Sequence, residues 1–384
     1  MISRERLLTT LQHQEPDQVP LDLGATQVTG IHHLAYRGLR RGLGLPARTP
    51  TLCDHIQGLA LPDEDLLEAL GTDMRGLFPL NSHNWQVTER PAGEYWLYHD
   101  EWGITHRKPR PDGLYYSIVK VPLDCPDLSP SDILDYAWPD LGAAWRIQGL
   151  RQQAQAHREA GYAVVLKDPF AGIFEMAQRI VGMENLLIMM ASDPSLAGVL
   201  FDKMTQLKLD FWEMALPQLR DLVDVISQAD DFGTQVSQLI STRMFRQQVK
   251  PRWKVVLDRI HTLAPHAYLF FHSCGNVRPI IPDFIELGIH ILNPVHITAR
   301  GMEPTALKQD FGQALTFWGG GIDTQEVLPH GTPQQVEAAV RRSLEILAPG
   351  GGYVFNTVHN IQADVPVENI LAMYQAVRQY GIYQ

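Results

Sequence analysis

The chain has 384 residues, of which 45% are hydrophobic and 20% charged, and its formal net charge is −11. This length is enough to bury a full hydrophobic core, either in two average domains or in one large barrel of about 250 residues with insertions. The acidic balance excludes nucleic acid and anionic membrane surfaces as main partners, because both require concentrated positive charge.

The cysteine content and the N-terminal segment favour a cytoplasmic protein. Cys53, Cys125 and Cys274 are too few and too scattered for a disulfide framework. Residues 1–17 lack the apolar core of a signal peptide, and no apolar run approaches the roughly 18 residues that a transmembrane helix needs. We therefore expect no membrane association. The oligomeric state stays open, with a homodimer as one alternative.

Short apolar runs alternate with amphipathic helices along most of the chain. Residues 3–12 predict a first helix capped by Ser3. Further helices are predicted after Asp193, at a capping box that begins at Thr332, and from Pro366 onward. Eight apolar runs predict strands buried on both faces, namely 19–23, 74–78, 162–166, 222–227, 267–271, 289–293, 315–318 and 352–356.

This alternation of strand and helix predicts an α/β fold, specifically a (β/α)8 TIM barrel. An open doubly wound sheet is the alternative, but no Gly-x-Gly-x-x-Gly motif follows the first strand. Residues 80–140 are rich in Trp, Tyr, Pro and Asp, and their short alternating runs predict a β-rich insertion that serves as a lid. Without repeats or a Gly/Ser linker, residues 1–384 are interpreted as one domain.

The segment 270–276, FFHSCGN, predicts half of a metal site. His272 and Cys274 are two residues apart at the end of a predicted strand, so their side chains point to the same side at the C-terminal mouth of a barrel. An imidazole and a thiol are typical zinc ligands, although a buried structural pair is the alternative. His359 follows the last predicted strand and converges on the same mouth. Three N/S ligands with one open position indicate a catalytic zinc site.

These motifs resemble the uroporphyrinogen decarboxylase superfamily, and more closely the zinc-dependent corrinoid methyltransferases within it. That group has His-x-Cys, then a distant Cys before a Pro-rich loop and a Pro-x-Glu-Asn helix start. Residues 359–369, HNIQADVPVEN, match this ending, but His359 stands where Cys is usual. The likeness extends from the opening SRERLLTTLQHQEPDQVP to the last helix. Exchange of a thiolate for an imidazole makes a bound zinc ion a better Lewis acid.

True decarboxylases of the superfamily carry an early Arg-Gln-Ala-Gly-Arg segment that holds the carboxylates of the porphyrinogen. After Pro20 this chain reads LDLGATQVTG, which contains no arginine. A substrate with many carboxylates needs several cationic partners. The resemblance therefore favours a methyltransferase over a decarboxylase.

Four further residues are candidates for the site. Asp230 and Asp231 follow a predicted strand and precede Gly233, which suits general acid/base work at the mouth, although a helix cap is the alternative. The resemblance favours the mouth, because related methyltransferases have an acidic segment here. Gln235 and Asp22 are candidate substrate-binding residues.

The function that the resemblance implies is methyl transfer between a small methylated substrate and a corrinoid carried by a partner protein, with Zn²⁺ as metal cofactor. We favour O-demethylation of an aryl methyl ether. The alternatives are a uroporphyrinogen decarboxylase-like activity and a non-catalytic tetrapyrrole-binding protein. Transfer in the opposite direction, from the corrinoid to a thiol, also stays open.

Overall fold

The computed structural model describes residues 1–82, 86–125 and 127–383. Its strands, in chain order, are β1 (Ile31–His32), β2 (Leu52–Asp54), β3 (Leu59–Ala60), β4 (Met74–Leu77), β5 (Arg90–Ala92), β6 (Tyr95–His99), β7 (Thr105–Pro109), β8 (Ser117–Lys120), β9 (Ala163–Leu166), β10 (Val225–Ala229), β11 (Tyr268–His272), β12 (Ile291–Asn293), β13 (Thr316–Trp318) and β14 (Tyr353–Val354). Its helices are α1 (Ser3–Leu11), α2 (His33–Gly42), α3 (Glu64–Leu70), α4 (Pro130–Leu134), α5 (Leu150–Glu159), α6 (Ile173–Val181), α7 (Met183–Ser192), α8 (Pro194–Leu219), α9 (Thr242–Met244), α10 (Lys250–Leu263), α11 (Ile281–Glu286), α12 (Pro304–Phe311), α13 (Val327–His330), α14 (Pro333–Leu347) and α15 (Val367–Tyr380).

Seven parallel strands form a curled sheet in the order β14-β13-β12-β11-β10-β9-β4. The gap between its edges is bridged by the segment around Leu21, which pairs in parallel with Phe355 beyond β14. On its other side the Leu21 carbonyl accepts the N–H of Asp73, just before β4, at 2.9 Å. The predicted first strand, 19–23, is thus reduced to a bridge, but it joins both edges. The predicted TIM-barrel fold is confirmed.

The barrel interior is a packed apolar layer, as the unbroken apolar strands require. A cluster of inward-facing side chains fills it: Met74, Ala163, Val165, Val225, Phe270, Ile291, Trp318 and Val354. Leu7 and Leu11 of α1 belong to the same cluster, so α1 closes one end of the barrel. The far end, where the strands terminate, is left for polar side chains.

Most predicted elements are confirmed, with shifts at their ends. The strand predicted at 222–227 runs instead over Val225–Ala229, because Leu222 lies in a turn that follows α8. The predicted helix starts are confirmed where Asp193 accepts the N–H of Leu196 and where Thr332 forms a capping box. The cap predicted at Ser3 is wrong, since α1 already includes Ser3 and Glu5 instead accepts the N–H of Ile2.

The predicted β-rich insertion is a four-stranded antiparallel sheet, β5-β6-β7-β8. A second small sheet, β1-β3-β2, was not predicted. The two sheets are linked through residues that flank their strands, since Tyr116 donates its N–H to the Ile56 carbonyl at 2.9 Å and stacks on His55. Among the described residues, no helix combines the length and the apolar content needed to cross a membrane.

Candidate metal centre

The three side chains predicted as metal ligands lie together at the mouth of the barrel. His272 is the last residue of β11, Cys274 follows two residues later, and His359 lies in the loop after β14. Their potential ligand atoms all lie within 4.8 Å of one another. Cys274 Sγ is 3.5 Å from His272 Nε2, and the two imidazole rings meet edge to face at 5.4 Å.

Asn293 fixes the orientation of the His272 ring. The Asn293 Nδ2 group donates to the Trp318 carbonyl at 2.7 Å, which turns Oδ1 of the same amide toward His272 Nδ1, 2.5 Å away. Since Oδ1 can only accept, Nδ1 carries the proton and the lone pair of the imidazole is on Nε2. Asn293 therefore presents the nitrogen that faces Cys274 as a ligand.

The electrostatics of this cluster suit a divalent cation. Burial of the His359 imidazole, together with the neighbouring His272 and His296, lowers its pKa to about 3. Burial of the Cys274 thiol, together with the Asp231 and Glu175 carboxylates, raises its pKa well above the usual value. Neutral imidazoles are ready ligands, and a bound cation supplies the positive charge that the thiolate needs. Two imidazoles and one thiol thus fit zinc.

A cavity of about 370 Å³ opens onto His272 and His359. Its walls come from the ends of the barrel strands, the helix α6, residues 27–28, residues 53–57 of β2 and the turn after it, and the insertion. The insertion contributes Tyr98 and Trp102, and the ring of Trp102 lies 5.0 Å from that of Phe170, which also lines the cavity. The open side of the metal ligands therefore faces a partly aromatic chamber.

The structure separates the two predicted catalytic aspartates. Asp231 lines the cavity, its Oδ1 atom lies 3.7 Å from His272 Nε2, and it accepts the N–H of Cys274 at 2.7 Å. Burial and the neighbouring Glu175 raise its pKa. Asp230 points away and does not line the cavity. A catalytic role stays a prediction for both, and the position of Asp231 supports it better.

Asp230 instead caps α6 from a neighbouring strand end. Its carboxylate accepts the N–H groups of Phe174 and Glu175 at 3.0 and 2.8 Å, and the indole N–H of Trp253 at 2.8 Å. Gly172, the residue before α6, supplies no capping side chain, and a Cβ atom there would lie 2.0 Å from Asp230 Cγ. Burial raises the Asp230 pKa to about 7.

Neither predicted substrate-binding residue lines the cavity. Asp22 is buried in the barrel, where it accepts the indole N–H of Trp318 at 3.0 Å, and burial raises its pKa to about 6. Gln235 is exposed and donates to Gln325 at 2.9 Å. Their role in substrate binding stays a prediction without a supporting contact.

Sequence reasoning missed several residues of the site. Asn293 carried a usable signal, because it is a polar residue at the end of an apolar run, one strand away from His272. Residues 53–57 and Lys167 carried no such signal in the sequence, because the local pattern does not show in which direction a loop side chain points. For Glu175 the sequence leaves two alternatives, a residue of the mouth or the start of a helix; it lies on the cavity wall, paired with Arg179 at 2.5 Å.

Replacement of Asn293 by alanine is expected to weaken zinc binding about ten- to a hundredfold, because the His272 ring loses the partner that fixes its tautomer and orientation. Competition with a chelator of known affinity measures the change. Asn369→Ala is the matched control, since Asn369 is also buried but donates only to the Leu328 and Gly331 carbonyls, away from the cavity. Unchanged affinity in Asn293→Ala would contradict the role given to this amide.

Comparison with known proteins identifies the family of the chain and relatives in sequence and in fold. A model of the uroporphyrinogen decarboxylase (URO-D) family matches residues 149–380, more than half of the chain. A methylated-thiol–coenzyme M methyltransferase of Methanosarcina mazei is 24% identical over 213 residues, covering 54% of this chain and 52% of that protein. The chain thus spans about half the length of this curated relative. A solved structure of a methyltransferase from Methanosarcina mazei covers 99% of both chains with a TM-score of 0.63 at 19% identity, which shows a shared fold.

Proposed function

Because the chain belongs to the uroporphyrinogen decarboxylase family, we propose that it is a zinc-dependent methyltransferase of that family and not a decarboxylase. It would move a methyl group between a small methylated substrate and a corrinoid carried by a partner protein. The favoured substrate is an aryl methyl ether, which would be O-demethylated. The observation that carries the proposal is the grouping of the His272, Cys274 and His359 ligand atoms within 4.8 Å of one another at the barrel mouth, where His272 and His359 line the cavity.

Each residue of the site has a task in this proposal. His272, Cys274 and His359 would hold zinc, which as a Lewis acid stabilises the oxygen or sulfur that loses its methyl group. The N–H of Cys274 donates to Asp231, which holds the ligand loop against the end of β10. The aromatic rings of Trp102 and Phe170 offer an apolar wall for the body of the substrate and exclude water from it.

A methylated thiol is the second candidate substrate for the same site. The curated relative from Methanosarcina mazei is named for a methylated thiol, and a thiolate leaving group, like a phenolate, would be stabilised by zinc. Both candidates use the same ligands and the same cavity. They differ in the atom that carries the methyl group.

The direct test combines the zinc-loaded protein, a reduced corrinoid protein, and two sets of compounds: methoxylated aromatics and methyl thioethers. Formation of methyl-corrinoid, followed by its visible spectrum, is expected with one of the two sets. Chelation of zinc should abolish the signal, and added zinc should restore it. Transfer that survives full removal of zinc would contradict the proposed role of the metal.

The protein is expected not to decarboxylate uroporphyrinogen at an enzymatic rate. Among the described residues, only Lys167 and Arg179 supply lysine or arginine side chains to the cavity, and Arg179 is already paired with Glu175. One free cation cannot bind the many carboxylates of a porphyrinogen. Chromatography of the oxidised products measures the activity. Steady formation of coproporphyrinogen over many turnovers would refute the methyltransferase proposal.

A further inference from the structure

Every carboxylate that lines the cavity has a hydrogen-bond partner within the chain, and two of them, Glu101 and Glu175, form ion pairs with arginine. Each of the cavity carboxylates accepts at least one hydrogen bond. The pairs are Asp54 with the N–H of Gln57 (2.8 Å), Asp100 with His106 (2.8 Å), Glu101 with Arg146 (2.8 Å), Glu175 with Arg179 (2.5 Å) and Asp231 with the N–H of Cys274 (2.7 Å). None of these carboxylates therefore lacks a hydrogen-bond partner.

Lys167 is the cationic side chain of the cavity that has no carboxylate partner among the described residues. It is half-buried, it directly follows β9, and its N–H donates to the Leu77 carbonyl at 3.0 Å, which anchors its backbone to the barrel. Its ammonium group donates to the Asp168 carbonyl at 2.8 Å. Within residues 1–82, 86–125 and 127–383, no carboxylate forms an ion pair with it, because the adjacent Asp168 carboxylate, which feels its charge, is paired with Lys208 at 3.4 Å. An ammonium group has three donors, so two of them are left for a ligand.

The position of Lys167 relative to the metal ligands sets the size of that ligand. Lys167 follows β9 and His272 ends β11, with β10 between them. Two interstrand spacings separate them by about 10 Å across the sheet, and the register places Lys167 level with Phe270, two residues before His272. The side chain between them on the cavity wall is the small Ala229, which pairs with His272 in the sheet. This leaves room for one substituted ring or a short aliphatic chain.

We infer that Lys167 binds an anionic group, a carboxylate or a sulfonate, at one end of a small substrate whose methyl group lies at the other end, beside His272, Cys274 and His359. This inference rests on the proposed function, which supplies the methyl group. The aromatic wall of Trp102 and Phe170 lies along the body of such a molecule. Lys167 thereby becomes a specificity-determining residue that separates anionic methyl donors from neutral ones of the same shape.

The test compares ligands that differ only in this charge, and it measures binding to the zinc-loaded protein by calorimetry without any corrinoid. One pair is aromatic, 4-methoxybenzoate against methoxybenzene. The other is aliphatic, 3-(methylthio)propanoate against methyl propyl sulfide. In the wild type, the anion of at least one pair is expected to bind tenfold or more tightly than its neutral partner. If the preference appears in the first pair, the substrate that carries the anionic group is aromatic. If it appears in the second pair, that substrate is aliphatic.

Lys167→Met is expected to abolish the preference, whereas Lys167→Arg should keep part of it. Lys203→Met is the matched control, because Lys203 is a half-buried lysine of α8 that does not line the cavity, and it should keep the preference in full. An unchanged preference in Lys167→Met would overturn the inference, as would a wild type that prefers neither anion. Lys167-dependent binding without methyl transfer to any corrinoid would refute the proposed function alone.

Discussion

Replacement of His359 by alanine is expected to reduce bound zinc from about one ion per chain to a small fraction of that value. The three ligand atoms lie within 4.8 Å of one another, so each is needed to enclose a small cation. Loss of one imidazole leaves a two-ligand site, which should weaken binding by more than the ten- to hundredfold that is typical of an outer-shell change. The zinc content is measured by metal analysis after gel filtration in a buffer that contains a mild chelator.

Two further variants test whether the loss of zinc is specific to the removal of a ligand at position 359. His359→Cys restores a thiolate where the related methyltransferases have one, and it should bind about one zinc ion. His261→Ala removes an exposed histidine of α10 that lies away from the cavity and should leave the zinc content unchanged. Zinc that remains stoichiometric and equally tight in His359→Ala would remove His359 from the site. Methyl transfer should fall in parallel with the metal content.

The barrel could be predicted because its strands are buried on both faces and therefore read as unbroken apolar runs. Ala163–Leu166 is an example, since all its residues are buried. The first strand could not be predicted correctly, because its apolar run pairs only at Leu21. The sheet β1-β3-β2 was not predicted, because strands of two or three residues are too short to show an alternation of polar and apolar side chains.

The grouping of the three candidate metal ligands was predictable for a different reason. His272 and Cys274 show the period of two that places side chains on one face, and barrel closure brings His359 to the same mouth. The same period argues against the paired role predicted for Asp230 and Asp231, since successive residues point to opposite sides. Lys167 was beyond prediction, because its importance depends on which neighbouring carboxylates are already paired, and only the folded chain decides that.

Substitution of each of the two aspartates by asparagine is expected to separate catalysis from stability. The Asp231 side chain is 37% exposed and borders the cavity, whereas Asp230 is fully buried. Asparagine at Asp231 keeps an oxygen for the N–H of Cys274 but loses the charge beside His272. Methyl transfer should fall about ten- to a hundredfold, and the melting temperature should stay within about 1 °C.

Asp230→Asn should show the opposite pattern. The two carboxylate oxygens accept three donors, from Phe174, Glu175 and Trp253. An amide replaces one acceptor oxygen by a donor, so at least one buried N–H is left facing another N–H. A buried donor without a partner costs about 1–3 kcal/mol, and the start of α6 loses part of its cap. We expect a melting temperature lower by roughly 2–5 °C, measured by calorimetry on protein with equal zinc content. Equal losses of stability in both variants would mean that Asp231, like Asp230, serves mainly to hold the chain together.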